Sequence, residues 1–166
     1  MKNNMKYGLA VSVTAILILM VAVMTGCPKP TSETGVISDV VMSKAVDENT
    51  SQPIDPTNVF SQNDPGFYCS FNISGFPVGA KLEVKWIYVG GDIAAENITG
   101  ENYVAETQMA TITKEGQGRT YTVYSAQGVK DYQWPAGNYQ VVISVDGLEK
   151  ATTTFSVEQV NSPATE

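Results

Sequence analysis

Two cysteines, several loop carboxylates and two neighbouring aromatic residues are the side chains whose types could support chemistry or binding. The cysteines are Cys27 and Cys69, and the chain contains no histidine. The lack of histidine excludes a Ser-His-Asp triad, a Cys-His pair and a His-ligated metal site. We therefore expect no enzymatic activity, no catalytic residue and no cofactor.

Cys69 lies in a stretch where apolar and polar residues alternate. A strand in this stretch would carry on one face Phe67, Cys69, Phe71 and Ile73. Since a buried free cysteine behaves as a small apolar side chain, we predict that Cys69 packs in the core. A Cys27–Cys69 disulfide is the alternative if Cys27 carries no lipid.

Cys27 ends a leader with the organisation of an export signal. Lys2 and Lys6 precede an apolar run over residues 9–24, as the basic and apolar regions of a secretory signal do. The run is somewhat shorter than the roughly 20 residues of a typical membrane span. Its charge distribution places the following domain outside the cytoplasm, whether the leader is cleaved or kept as a transmembrane anchor.

The end of the leader, Met24-Thr25-Gly26-Cys27, resembles the lipobox of prokaryotic lipoproteins. In that family a diacylglyceryl group is added to the cysteine and the leader is cut just before it. The resemblance implies that residues 1–26 are a signal peptide and that Cys27 is the lipidation site. The domain would then be lipid-anchored to the cell membrane on its extracytoplasmic side, because two acyl chains give stable attachment at about 0.8 kcal/mol per methylene.

Composition restricts the partners of the domain. The chain carries 10 basic and 17 acidic residues, a formal net charge of −7. Nucleic-acid binding requires clustered positive charge, so we expect no nucleic-acid partner. The expected partners are the membrane, through the lipid anchor, and envelope proteins or glycans.

The chain after the leader divides into a tether, one domain and a tail. Residues 27–35 contain Pro28 and Pro30 and no apolar period, which predicts a flexible tether. Residues 36–158 carry the strand patterns of one β-sandwich domain. Residues 159–166 are polar, and we expect them to be disordered.

Alternating apolar residues predict most of the strands. Residues 82–88 alternate clearly, whereas two prolines indicate an irregular stretch over residues 47–58. Residues 103–113 and 119–126 are expected to form the next pair of strands. Residues 139–157 alternate on both sides of Asp146-Gly147, which predicts a type I′ hairpin.

Trp86 and the closing run over residues 135–147, which begins Pro-Ala-Gly-Asn-Tyr, resemble immunoglobulin-like and fibronectin-type-III-like modules of bacterial and archaeal surface lipoproteins. The resemblance implies an all-β fold, an immunoglobulin-like antiparallel β-sandwich of about seven strands. The inter-sheet disulfide of such modules is missing, because Cys69 has no second cysteine opposite it. A shared fold transfers no activity.

Tyr132 and Trp134 lie in a predicted loop over residues 127–135. Aromatic residues on loops commonly bind sugars or proteins, so these two are the candidate ligand-binding residues. The alternative, which we favour for Trp134, is that its ring closes the open end of the sandwich, since exposing it to water is unfavourable.

A second loop offers weaker candidates. Asp92, Glu96 and Glu101 match no calcium-binding spacing, so we expect a solvated acidic loop and no metal site. Asn97 begins an Asn-Ile-Thr acceptor pattern and is the candidate glycosylation site.

Together these patterns indicate a membrane-anchored extracytoplasmic lipoprotein whose sandwich is a non-catalytic binding or interaction module. One alternative is a structural accessory subunit of a cell-envelope assembly, in which a sheet edge pairs with a partner strand. A small hydrolase is the other alternative. It would need two carboxylates placed for glycoside hydrolysis, and nothing in the spacing selects a pair.

Overall fold

A computed structural model describes residues 34–91, 102–126 and 132–159. Nine strands and no helix occur in these residues. The strands are β1 (Val36–Val46), β2 (Pro53–Pro56), β3 (Val59–Ser61), β4 (Gly66–Ser74), β5 (Lys81–Gly90), β6 (Tyr103–Thr111), β7 (Gln117–Ser125), β8 (Gly137–Val145) and β9 (Leu148–Glu158). Nowhere in this described part does the chain form a helix with the length and apolar character needed to cross a membrane.

The strands form two sheets that face each other. One has the order β2-β1-β4-β7 and the other the order β3-β9-β8-β5-β6. In immunoglobulin-type sandwiches strands A, B and E face strands C, F and G. Here β1, β4 and β7 correspond to strands A, B and E, and β5, β8 and β9 correspond to strands C, F and G. The predicted all-β, immunoglobulin-like sandwich is therefore confirmed.

Two short strands raise the number above the expected seven. β2 and β3 lie in or beside the proline-containing stretch that was expected to be irregular. β2 pairs only with β1, and β3 pairs only with β9, in parallel. Proline lacks a backbone donor but is tolerated where a strand has one neighbour, which explains why β2 both begins and ends with proline.

The core lies between the sheets and follows the predicted alternation. Phe67, Cys69 and Phe71 of β4 are buried against Trp86 of β5 and Val141 of β8. Trp86 packs edge-on against Phe155 with ring centroids 6.1 Å apart. Cys69 is a free, buried cysteine, as predicted.

The β8–β9 hairpin confirms the strongest local prediction. Val145 pairs with Leu148, and the two residues between them, Asp146 and Gly147, have φ of 49° and 79°. Positive φ at both positions defines the type I′ turn. The Asp146 carboxylate also accepts a 2.8 Å hydrogen bond from the Lys81 N–H, which fixes the turn to β5.

The expected pairing of β6 with β7 is wrong. β6 pairs with β5, and β7 pairs with β4 in the opposite sheet. The chain crosses between the sheets at Ile112, whose N–H donates to the Ala80 carbonyl at 2.9 Å and whose carbonyl accepts from the Gly79 N–H at 2.8 Å. Strand propensity predicts which residues form a strand but not which strand they pair with, so it cannot predict that the chain crosses to the other sheet.

One glycine contact holds the end of β5 against the start of β8. A Cβ on Gly91 would lie 2.5 Å from the Ala136 carbonyl oxygen and 2.6 Å from the Gly137 Cα. Both obstacles are backbone atoms, so a side chain at position 91 would force the two segments apart.

We predict that Gly91→Ala lowers the free energy of unfolding by about 1–3 kcal/mol, the usual effect of overpacking. Denaturant unfolding of the full chain in mild detergent, followed by circular dichroism, measures the change. Gly118→Ala is the matched control, because a Cβ there meets nothing within 4 Å, and it should shift stability by no more than about 0.5 kcal/mol. Equal stability of the two variants would contradict the close contact.

Candidate functional site: a tyrosine cluster at the open side of the sandwich

A register shift in β6 brings Tyr103 and Glu106 to the same face. Residues three apart on a regular strand point to opposite faces. Here the β5–β6 pairing shifts after Trp86, so that Glu106 lies opposite Trp86 and Tyr103 opposite Tyr88. Because Trp86 and Tyr88 both face the core, Tyr103 and Glu106 face the space between the sheets, a re-aiming typical of a bulge.

Tyr124 of β7 faces the same space from the other sheet. It lies opposite Phe67, which is fully buried. Its ring is half-buried, with its centroid 5.8 Å from that of Trp86 and 4.8 Å from that of Trp134. Since β6 and β7 do not pair, this side of the sandwich is open between them.

The two candidate ligand-binding residues, Trp134 and Tyr132, differ in their exposure to solvent. Trp134 is only 2% exposed, and its ring packs on Phe67 at 4.5 Å. Its indole N–H donates to the Asp64 carbonyl at 2.7 Å, and its backbone N–H donates to the Gln62 carbonyl at 3.0 Å. Trp134 therefore closes the end of the sandwich, the alternative stated above, and its buried ring offers no platform to a ligand.

Tyr132, in contrast, is 40% exposed and stands edge-on to Trp134 at 4.9 Å. Tyr103 is 50% exposed. We use the term tyrosine cluster for Tyr103, Glu106, Tyr124 and Tyr132. Two of its rings, those of Tyr124 and Tyr132, rest on the same buried tryptophan.

Burial and neighbouring charges keep two phenols of the cluster protonated. Burial, followed by the negative charges that Tyr132, Glu106 and Tyr103 can carry, raises the pKa of Tyr124 to about 12. Burial also raises the pKa of Tyr132. The phenols of Tyr124 and Tyr132 are therefore neutral hydrogen-bond donors at neutral pH.

Gln108 joins the two strands beside the cluster. Its side-chain amide donates to Glu106 Oε1 at 2.8 Å and to the Val123 carbonyl at 2.7 Å. Thr122 Oγ1 donates to Gln108 Oε1 in return. Within the described ranges no basic side chain forms an ion pair with Glu106, and the neutral Gln108 amide is its hydrogen-bond donor.

Several donors in and under the cluster have no acceptor. Among described residues, the hydroxyls of Tyr103, Tyr124 and Tyr132 form no hydrogen bond. The Trp86 indole N–H is buried and likewise lacks a partner there. Buried polar groups are normally paired, and exposed ones are available to a ligand or to water. Among the described residues, the open side therefore combines unpaired phenol donors with a carboxylate that Gln108 occupies only in part.

Of the other predicted candidates, Cys69 lies among the described residues, and it is buried in the core and not part of the cluster. Burial raises the pKa of the Cys69 thiol to about 12, so it is protonated and unsuited to act as a nucleophile. In the part of the chain that the structure describes, no three His, Cys, Asp or Glu residues are placed to hold a metal ion. Positions outside the described residues are Cys27, Asp92, Glu96, Asn97 and Glu101.

Sequence reasoning identified Tyr132 but missed Tyr103, Glu106 and Tyr124. The available signal was the charge of Glu106 within the strand-like segment 103–111, because inward-pointing charged residues are typical of edge strands. It could not be read as a site, because the bulge that aligns Tyr103 with Glu106 leaves no mark in the residue pattern.

Comparison with known proteins identifies no family. No protein-family model matches the chain, and no curated protein matches it. An immunoglobulin-like protein from Pseudomonas aeruginosa is similar in structure, with 11% identity, a TM-score of 0.49 and coverage of 75% of this chain and 96% of that one.

Two enzymes contain a similar part. An alkylpurine DNA glycosylase from Pseudomonas fluorescens has 13% identity and a TM-score of 0.46, and β-glucosidase 3B from Thermotoga neapolitana has 13% identity and a TM-score of 0.44. Each match covers 75% of this chain but only 30% and 16% of the respective enzyme. With all TM-scores below 0.5, these likenesses have no bearing on what this chain does.

We predict that Trp134→Ala lowers the free energy of unfolding by about 3–5 kcal/mol, as removal of a buried aromatic ring does. Tyr132→Ala removes a half-exposed ring and should have a much smaller effect. Thermal and denaturant unfolding of both variants measures the difference. If Trp134→Ala were as stable as the parent chain, the end-closing role of Trp134 would be wrong.

Proposed function

We propose that this protein is a membrane-anchored extracytoplasmic lipoprotein whose sandwich is a non-catalytic binding module. The observation that carries the binding role is the tyrosine cluster. Tyrosine is among the residue types enriched at binding surfaces, because it combines a rigid apolar ring with a polar tip. Among the described residues, no hydrogen bond joins the Glu106 carboxylate to a phenol of the cluster, so no nucleophile there is paired with a base, which favours binding over catalysis. Its partners are envelope proteins or glycans.

The anchoring role is supported by the sequence Met24-Thr25-Gly26-Cys27. If Cys27 carries the lipid, the tether over residues 27–35 can extend at most about 30 Å. β1 begins directly after it, at Val36. The domain would thus stay close to the outer surface of the membrane.

The positions of tether and cluster on the fold support the same role. Val36, where the tether enters, pairs with Ser74 at the end of β4. Tyr124 pairs with Phe67, near the start of β4. These two β4 positions are about 24 Å apart at the rise of a strand. The tyrosine cluster therefore lies at the end of the domain opposite Val36, where attachment of the chain to a membrane through Cys27 would leave it accessible.

The structural-subunit alternative also has an observation in its favour. β6 and β7 each have only one neighbour within the described strands, and an edge strand can pair with a strand from a partner. However, Gln108 already occupies the Val123 carbonyl at the edge of β7. Of the two edges, β6 is the freer, and Met109 on it is 69% exposed.

We predict that Cys27→Ser releases the protein from the membrane fraction, because no acyl chains can then be attached. Fractionation after a high-salt wash, followed by immunoblotting, measures release. Mass spectrometry of the parent protein should find an acylated N-terminal Cys27. Membrane-bound protein that retains Met1 would overturn the lipid anchor in favour of a transmembrane leader.

We predict that a photo-crosslinking residue in the tyrosine cluster captures an envelope partner. p-Benzoylphenylalanine placed at Tyr132 in the full chain in cells should give adducts. The same residue at Thr152, which is exposed on β9, serves as the control and should give none. Adducts from Met109 but not from Tyr132 would favour strand pairing along β6, and thus the structural subunit. Adducts from neither position would contradict both a protein-binding cluster and strand pairing along β6, and the binding role would then depend on the glycan test described below.

A further inference from the structure

We infer that the tyrosine cluster binds a neutral polysaccharide, with sugar rings lying on Tyr103 and Tyr132 and sugar hydroxyls bonded to Glu106. This inference rests on the proposed binding role of the cluster and assigns the ligand class. It is carried by three properties of the cluster: the exposure of its rings, its unused hydrogen-bonding groups and its charge.

The exposed rings suit a sugar face. Tyr103 and Tyr132 are each about half exposed, while Trp86 is buried in the core, as is Trp134, on which Tyr132 packs. A pyranose ring has an apolar C–H face that can lie on an aromatic ring while its edge stays hydrated, and a tyrosine has the same division between apolar face and polar tip. The core of a protein interface is more apolar than the rest of the surface, and the two tryptophans at the cluster are buried, so the half-exposed tyrosine rings suit a sugar better than a protein.

The unused polar groups also match a sugar. The hydroxyls of Tyr103 and Tyr132 form no hydrogen bond with the described part of the chain. Glu106 Oε1 accepts from Gln108 at 2.8 Å, and acceptor capacity remains on the carboxylate because it has two oxygens. Sugar hydroxyls both donate and accept, so they can satisfy the phenols and the carboxylate together. A hydrogen bond from a sugar hydroxyl to the charged Glu106 carboxylate is stronger than one between a sugar hydroxyl and a neutral phenol.

The charge of the site selects neutral polymers. The cluster, as drawn from the described residues, includes no lysine or arginine, and its formal charge is that of the Glu106 carboxylate, while the whole chain carries −7. A sulfated or uronic-acid polymer would meet repulsion from this carboxylate at short range. Nucleic acid is disfavoured for the same reason. A neutral glycan meets no such repulsion and can use the carboxylate as an acceptor.

The inference is tested by native affinity electrophoresis of the full chain in mild detergent. The gels contain one of three neutral polymers, namely laminarin, mannan or arabinoxylan, or the acidic polymers dextran sulfate or hyaluronan. We expect at least one neutral polymer to retard the protein and neither acidic polymer to do so. Retardation by acidic polymers alone, or by none of the five, would overturn the assignment to neutral glycans.

Variants locate the binding site. Tyr132→Ala and Tyr103→Ala should each weaken retardation by about tenfold, the scale of one aromatic contact, and Glu106→Gln should weaken it as well. Tyr132→Phe, which keeps the ring, should retain most of the binding and guards against loss of fold. Tyr121→Ala is the matched control. Tyr121 contacts Tyr68 at 6.3 Å on the other face of the β4–β7 pair, and its loss should leave retardation unchanged. An equal effect of Tyr121→Ala would contradict the site.

The two proposals fail in different ways. If crosslinks from Tyr132 capture envelope proteins and no neutral polymer retards the chain, the binding module stands and the glycan assignment is wrong. If neither result is obtained, both proposals are wrong.

Discussion

Ring packing around Phe67 is the interaction on which the rest of the structure depends. Phe67 lies on the four-stranded sheet, and its ring contacts Trp134 at 4.5 Å and both Phe60 and Phe155 at 4.9 Å. Phe155 belongs to the five-stranded sheet, so these contacts join the layers. Each aromatic pair adds about 0.5–1.5 kcal/mol beyond the area it buries. Immunoglobulin domains often place a disulfide between their sheets, but Cys69, two residues from Phe67, is a free thiol.

The same packing creates the candidate site. Trp134 is held under the sandwich end by Phe67 and by its bond to the Asp64 carbonyl, and it supports Tyr124 and Tyr132 from below. These two tyrosines can remain partly exposed because the tryptophan carries most of the apolar burial at this end. Tyr103 and Glu106 belong to the same site because the sandwich is open between β6 and β7. In a closed barrel these two side chains would lie either in the core or on the outer surface.

Gln108 stabilises the side of the sandwich that is open between β6 and β7. Unpaired strand edges favour aggregation, and natural sandwiches protect them with polar or charged inward-facing groups. The Gln108 amide bonds to the Val123 carbonyl and to Glu106, so it links the two sheets where no backbone ladder does. Two nearby residues of β6 therefore have separate roles. Gln108 protects the strand edge, and Glu106 presents its carboxylate.

The sequence by itself determined the positions of most strands, the inward face of β4 and β5, and the Asp146-Gly147 turn. Each of these depends on residues close together in the chain, either through a period of two or through the φ values that a turn demands. Only the tertiary structure decided that β6 and β7 lie in different sheets, that Tyr132 stays partly exposed beside Trp134, and that Tyr103 joins Glu106. These features depend on which distant strands pair and on a bulge at their register, and neither is encoded in a local pattern.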